Sequence, residues 1–512
     1  MNRNVIEYLI AAAENYPNKN AFSDSNGDMT FRELNCTAKK VAMQIIKRTK
    51  GQVNQPIAVK MHKSKECIAA FMGIIYSGNY YSPIDISMPQ ERIALILREL
   101  NPQLIISCDK ENGHECLYEE CLYEECLDEC VDELAIKRQL SRVLSIDPVY
   151  VLFTSGSTGI PKGVVISHEA VIDYAEWLNS KFRFDTNTVF GNQAPLYFDN
   201  SVLDIYSALR SGASVYFIDE KLFSFPKQLI NFMCDKSINT IFWVPSALIA
   251  VADSNALETA EKLPGLQKIL FCGEVMPTKQ LSKWMKFYKD SMFVNLYGPT
   301  EITDVCTYFI VDRVYSDNES LPIGKACENT EVLILNSKNE LADIGEQGEI
   351  CVRGVGVSKG YYNNQEKTKE VFIQNPLHSN YRDIIYRTGD IGKIDDRGNI
   401  VYLGRADNQI KYQGHRIELG EIEAAVLSID GIKRACAVYS NIRNKIVLFV
   451  TISDVEINEK GIYQSMKLKV PRYMLPAEIN IYEALPLNMN GKIDRVKLKE
   501  VANGTDNKRN NC

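Results

Sequence analysis

Four hydroxyl side chains, three glycines and one lysine fall within Thr154-Ser155-Gly156-Ser157-Thr158-Gly159-Ile160-Pro161-Lys162-Gly163. Glycine lets backbone N–H groups approach an anion closely, Ser and Thr add donors, and Lys162 supplies the charge. Apolar Val149–Phe153 precedes the stretch and Val164–Ile166 follows it, so the spacing predicts strand, loop, strand. A loop of this composition suits a polyphosphate. It is not the GxxxxGK[ST] loop, because Pro161 precedes Lys162, and no GxGxxG opens a helix. A Ser/Gly surface linker is the alternative, but linkers seldom join two β-rich apolar runs.

Other chemistry-bearing residues cluster further on. Asn295-Leu296-Tyr297-Gly298-Pro299-Thr300-Glu301 puts an aromatic, a turn, a hydroxyl and a carboxylate close together. That set could form a nucleotide floor, or a turn with a capped helix. Phe198-Asp199-Asn200-Ser201-Val202-Leu203-Asp204 carries two carboxylates, Asp204 reading as a solvated or capping group. His168 could be catalytic, but at the start of a helical pattern it reads first as a packed helix-start residue.

Elements must hold these residues in place. Residues 1–145 alternate helix-like and strand-like segments, beginning with an amphipathic helix and not a signal peptide. Residues 321–404 turn to short strands, predicting a small β-barrel, and a small α/β unit follows. A length of 512 residues calls for two or more domains, and the fold class is α/β. Net charge of −7 without a long basic cluster argues against nucleic acid, and no apolar run approaches a membrane span. The 14 cysteines read as free thiols in a reducing cytoplasm. The acidic repeat of Cys116, Cys121, Cys126 and Cys130 lacks CxxC pairing and reads as a surface insertion, with a metal site as the alternative.

At TSGSTGIPKG the chain resembles the adenylate-forming superfamily: acyl-CoA synthetases, luciferases and peptide-synthetase adenylation domains. Ordered matches run from Asp85 through Phe271-Cys272-Gly273-Glu274, YGPTE at 297–301, Tyr386-Arg-Thr-Gly-Asp390 and Gly404-Arg405-Ala-Asp407 to Gly491-Lys492. The resemblance implies an N-terminal adenylation core over 1–404, a hinge over 405–409, a mobile C-terminal lid domain over 410–502 and a disordered tail over 503–512. It implies ATP and Mg²⁺ as cofactors, with Lys492, Thr300, Glu301 and Lys162 catalytic and Glu301 holding the metal. Thr154, Ser155, Gly156, Ser157, Thr158, Gly159, Gly273, Glu274, Asn295, Tyr297, Gly298, Asp390 and Arg405 would bind ATP or AMP. Tyr297 would stack on adenine, Thr300 would meet the α-phosphate and Asp390 the ribose hydroxyls. Asp407 is the implied hinge residue, and Gly414 would line a pantetheine tunnel.

Asp199 stands where amino-acid-activating members accept the substrate's α-ammonium. With it, Asn200, Leu203, Ser246, Leu270, Cys272, Leu296, Asp304 and Val305 form the implied substrate pocket. Asp304 is unusual there: it either meets a hydroxyl- or amine-bearing substrate or pairs with protein groups and water. The expected protein is a cytoplasmic, monomeric, stand-alone amino-acid adenylation enzyme of nonribosomal-peptide-synthetase type. It would load a separate phosphopantetheinylated carrier protein, since no attachment motif is found. Phe271–Pro277 and Ser201–Tyr206 also resemble D-alanine ligases that charge a D-alanyl carrier protein, although Asn200, Leu296 and Asp304 depart from that pattern. An acyl- or aryl-CoA ligase is disfavoured by Asp199, and a non-catalytic nucleotide binder by Lys492, Glu301 and Asp390.

Overall fold

The computed structural model describes residues 3–108, 116–118, 131–156, 159–317, 319–406, 409–453, 457–487 and 493–504. The Asp407 and Lys492 assignments, Ser157, Thr158, residues 505–512 of the tail and the side chains of the cysteine repeat lie outside the described residues, and Asn503, expected to begin the disordered tail, instead ends helix Arg495–Asn503. The chain divides into two compact units. The first comprises Met1–Ile86, Leu100–Phe153 and Gly163–Ala406; the second comprises Ser87–Glu99, Thr154–Lys162 and Asp407–Cys512.

In the first unit a nine-stranded sheet runs in the order Lys325–Ala326, Thr307–Ile310, Met292–Tyr297, Lys268–Phe271, Thr240–Trp243, Val189–Asn192, Ser214–Phe217, Asn20–Asp24, Gly27–Thr30. Its central strands, from Met292–Tyr297 to Asn20–Asp24, are parallel. Parallel strands need both faces covered, and period-two alternation supplies two apolar faces. Phe242, Leu270 and Val294 join the main core, whereas Ile241, Trp243, Ile269, Phe271 and Phe293 join a second cluster. Helices Pro226–Asp235, Pro245–Asp253 and Thr278–Phe287 feed the second cluster. Helices Phe31–Arg48, Lys65–Tyr76, His168–Phe182 and Asn200–Ser211 feed the main one.

A six-stranded sheet in the order Cys116–Tyr118, Leu104–Ser107, Pro56–Lys60, Tyr80–Ile84, Pro148–Thr154, Lys162–Ser167 contributes to the same main core. Helix Lys65–Tyr76 is buried along its whole length. That position suits its apolar composition, and its two charged residues are met by pairing, Lys65 with Asp24 and Glu66. Thr30 and Glu33 form a reciprocal capping box that starts helix Phe31–Arg48. Where the sequence predicts a small barrel, strands Thr330–Leu335, Gly348–Gly354, Phe372–Gln374, Ile384–Ile394 and Ile400–Arg405 form a five-stranded antiparallel sheet.

The second unit has a three-stranded sheet, Ile432–Ser440, Lys445–Ile452 and Glu478–Ile481. Alternation again makes two faces. Ala435, Ala437, Ile446, Leu448 and Val450 pack with helices Leu419–Leu427 and Glu459–Lys467, and Cys436, Val438, Val447 and Phe449 with helix Arg495–Asn503. No helix among the described residues is long and apolar enough to cross a membrane. The cysteines whose side chains are described are free, and no group of three or more His, Cys, Asp or Glu among the described residues could hold a metal ion.

Candidate active site

Many candidate residues of the first unit lie at or just beyond the ends of parallel strands. Strands Val189–Asn192, Thr240–Trp243, Lys268–Phe271 and Met292–Tyr297 are adjacent in the sheet and point the same way. The segments leaving their carboxyl ends carry Asp199, Ser246, Cys272–Glu274 and Gly298–Asp304 respectively. Crevices at such ends are the usual ligand sites of open α/β sheets. Leu203, Leu270, Cys272, Leu296 and Val305 all belong to the main core, so these members of the expected substrate pocket share one apolar cluster.

At one end of the site stands Asp390, almost fully buried. Antiparallel register sets Arg405 directly opposite Asp390, and Arg405 Nη1 donates to Asp390 Oδ1 at 3.0 Å. Tyr297 closes its strand and donates its hydroxyl to Asp390 Oδ2 at 2.6 Å. Burial, with Asp390 alongside, pushes the Tyr297 phenol well up, so it remains a donor. Asn295 donates to the Pro322 carbonyl at 2.8 Å. Glu274 accepts from Ser246 N at 2.8 Å, satisfying a first-turn N–H of helix Pro245–Asp253, which has no side-chain cap of its own.

The turn after Tyr297 is tightly constrained. A Cβ on Gly298 would lie 2.2 Å from the Asp304 carbonyl oxygen, so no side chain fits there. Glu301 is fully buried and accepts from the Tyr361 hydroxyl at 2.7 Å. Thr300 donates to Asp199 Oδ2 at 2.6 Å, and Asp199 Oδ1 accepts from Asn200 N at 3.0 Å. Asp199 is therefore a buried carboxylate with both oxygens oriented by neighbours. Thr303 and Asp304 follow at φ +62° and +72°, left-handed conformations that cost a non-glycine residue about 1–3 kcal/mol each. Asp304 accepts from the Tyr174 hydroxyl at 2.6 Å. Of the two readings of Asp304, the structure supplies the pairing with protein groups.

Two further sequence expectations change. Asp204 is fully buried and accepts from Asn192 Nδ2 at 2.8 Å, so it is neither solvated nor a cap. Burial raises it to about 7. His168 begins helix His168–Phe182 but is buried, with Nδ1 taking Val5 N at 3.5 Å. Burial lowers its pKa to about 4, which makes it a neutral packing residue. Tyr174 and Tyr361 belong to these hydrogen-bonded groups but carry no motif. Only a tyrosine within an apolar helical stripe marked Tyr174 in the sequence.

In the second unit the hydroxyl-rich loop meets carboxylates. Gly156 N donates to Glu421 Oε2 at 3.2 Å, and Glu421 Oε1 pairs with Arg92. Lys162 Nζ lies 3.6 Å from Glu418 Oε1, and Ser155 donates to the Arg416 carbonyl at 2.7 Å. A Cβ on Gly156 would stand 1.9 Å from the Ile160 carbonyl oxygen, so the loop closes only with glycine. Thr154 donates to the Lys162 carbonyl at 3.4 Å, Gly159 N donates to the Gly156 carbonyl at 3.0 Å, and Gly414 occupies the left-handed turn of a two-stranded hairpin. The loop thus offers backbone N–H and ammonium groups to carboxylate oxygens, which is anion-binding chemistry.

The model of the AMP-binding enzyme family matches residues 9–362. A D-alanine–D-alanyl carrier protein ligase from Listeria monocytogenes is 34% identical over 98% of this chain and 100% of its own length. Bacitracin synthase 1 from Bacillus licheniformis is 33% identical over 98% of this chain, which corresponds to 9% of that protein. The crystal structure of the Vibrio cholerae adenylation domain AlmE, in complex with glycyl-adenosine-5'-phosphate, superposes with a TM-score of 0.81 at 23% identity, covering 98% of each chain. The chain is a member of the AMP-binding enzyme family.

Proposed function

We propose that this chain is a stand-alone, AMP-forming amino-acid ligase of the cytoplasm. It activates an amino acid with ATP and passes it to the phosphopantetheine thiol of a separate carrier protein. The observation that carries the amino-acid assignment is Asp199, a buried carboxylate oriented by Thr300 and Asn200 at the strand ends. A substrate α-ammonium gives it a charge-assisted bond, whereas an acid without an amine leaves it desolvated and unmatched, at a cost of several kcal/mol (about 2–5).

The substrate carboxylate attacks the α-phosphorus of ATP, the bond to the bridging β-oxygen breaks, and pyrophosphate leaves with that electron pair. The protein's contribution is positioning and charge neutralisation. The Tyr297–Asp390–Arg405 group presents an oriented carboxylate to the ribose hydroxyls, and its burial excludes water. Thr300 donates to Asp199 from the turn after Tyr297, and by resemblance it would serve the α-phosphate. The Thr154–Lys162 loop would take the outer phosphates. By resemblance, Glu301 would hold Mg²⁺, to which its carboxylate offers hard oxygen ligands. When bound, the ion neutralises phosphate charge. By resemblance, Lys492 neutralises the transferring carboxylate and Asp407 is the pivot that withdraws it before the thiol attacks.

ATP–pyrophosphate exchange with a panel of amino acids tests the reading, followed by loading of holo-carrier protein. Alanine enters the panel first, in both enantiomers, because full-length relatives bear the D-alanine ligase name. Exchange supported by amino acids and by neither fatty nor aromatic acids is expected; the reverse pattern would overturn the assignment. Lys492→Ala is expected to lose about 10³-fold in exchange, a charge-stabilisation effect, while ATP still binds by equilibrium titration.

A further inference from the structure

Tyr174 lies outside the residues that the sequence nominates for the substrate pocket. It stands on the buried face of helix His168–Phe182, and its hydroxyl donates to Asp304 Oδ2 at 2.6 Å. The other oxygen of Asp304 faces the carboxamide of Asn200. That carboxamide has carboxylates on both sides, so its nitrogen must turn toward them. So oriented, it donates to Asp304 Oδ1 and to Asp199 Oδ1, at 3.3 Å each. A continuous polar chain results: Tyr174, Asp304, Asn200, Asp199, Thr300. Each oxygen of Asp304 has a protein donor, and the residue is 1% exposed.

The backbone is bent to make this contact. Thr303 and Asp304 are consecutive non-glycine residues in the left-handed region, and one of them is β-branched. Strain of this kind persists where surrounding structure over-determines it, commonly at binding sites. A single carboxamide, that of Asn200, separates Asp304 from Asp199, the carboxylate that would take the substrate's ammonium. The group carried by the substrate's Cα on that side therefore meets the polar chain first.

We propose that Tyr174, acting through Asp304 and Asn200, is a specificity-determining positioning residue that closes the side-chain end of the pocket and limits the substrate to one with at most a methyl side chain. This rests on the amino-acid reading above. A longer apolar side chain must break matched, buried hydrogen bonds and strand their partners. A side-chain ammonium would need Asp304 ionised beside Asp199, which burial and the Asp199 charge oppose. A hydroxyl would have to displace Asn200 or Tyr174 from a carboxyl group already met on both oxygens.

The test compares kcat/KM in pyrophosphate exchange for glycine, both alanines, 2-aminobutyrate, serine and 2,3-diaminopropionate. The wild-type chain, Tyr174→Phe and Asn200→Ala are measured side by side. For the wild type, glycine or alanine is expected to exceed the other three by about tenfold or more, the discrimination available to one methylene or one hydroxyl. Tyr174→Phe should narrow the gap for serine and diaminopropionate, since Asp304 loses a donor. Asn200→Ala should narrow it for 2-aminobutyrate. A purely structural defect would lower all substrates alike, so variants that preserve the wild-type ranking overturn the proposal. A wild-type preference for serine, diaminopropionate or a larger substrate overturns it without any variant, and leaves the amino-acid reading intact. Failure of every amino acid removes that reading, and this one with it.

Discussion

Around the Thr154–Lys162 loop, charge is answered by opposite charge: Lys162 faces Glu418, and Glu421 takes Arg92 together with the Gly156 N–H. Around Asp304, a buried carboxyl is answered by a phenol and a carboxamide. The first arrangement leaves groups that a polyphosphate can recruit by exchanging one anion for another. The second holds an acid whose pKa burial and Asp199 push well above the usual carboxylate range, and its partners are hydrogen-bond donors instead of ions. One chain therefore contains a cluster held by opposite charges and a cluster held by matched hydrogen bonds. Affinity at the first should follow charge, and selectivity at the second should follow hydrogen-bond matching.

The largest effect expected from breaking that contrast is at Asp199. Asp199→Ala should lower kcat/KM for the amino acid about 100-fold, within the roughly 2–5 kcal/mol that truncating one partner of a buried charged pair costs. Steady-state exchange kinetics would read it, and an unchanged KM for the amino acid would remove Asp199 from ammonium binding.

Asp204 sharpens the comparison through pH. Burial raises it from 3.8 to about 7, with Asn192 and Lys63 partly opposing. A raised acid has its full stability contribution below the unfolded value, and loses it as pH rises through about 7. Lys63, lowered to about 8 chiefly by burial, acts in the opposite sense: its contribution is present above 10.5 and is lost as pH falls through about 8. Asp204→Asn should therefore remove a loss on the order of a few kcal/mol between pH 4 and pH 8, at roughly 1.4 kcal/mol per pKa unit. Denaturant midpoints at both pH values would show it, and parallel pH profiles for wild type and variant would refute it.

Lys162→Ala is expected to raise the KM for ATP about tenfold, an effect of about 1.4 kcal/mol. The smallest effect is at Glu421. Glu421→Gln removes a competing anion from the loop while keeping a hydrogen-bond acceptor, so ATP should bind a few-fold tighter. Both changes can be followed by equilibrium titration at two salt concentrations, because charge-driven binding weakens as salt rises. Weaker ATP binding in Glu421→Gln would mean that the carboxylate supports the cradle instead of competing for it.

Local chemistry made much of this protein legible. The strand–loop–strand form of 149–166, helix His168–Phe182 and the small C-terminal α/β unit follow from periodicity and from glycine and hydroxyl placement. What stayed hidden depended on partners distant in the chain. Tyr174 meets Asp304 across 130 positions, and Tyr297 meets Asp390 across 93. No local spacing encodes such pairs, because sheet order decides which strand ends become neighbours. Asp204 was misread for the same reason. A carboxylate on a helix reads as solvated until packing shows that its face is covered.

The sequence by itself determined the family, the α/β class and the kinds of group available for ATP and a carboxylic acid, since motif spacing is a property of the chain. Tertiary structure alone decided that Asp304 is paired with protein groups and that Asp390 is held from both sides. The physical reason is that a side chain's protonation and partners depend on what burial removes and what a neighbouring strand supplies. Both are settled only when distant segments pack together.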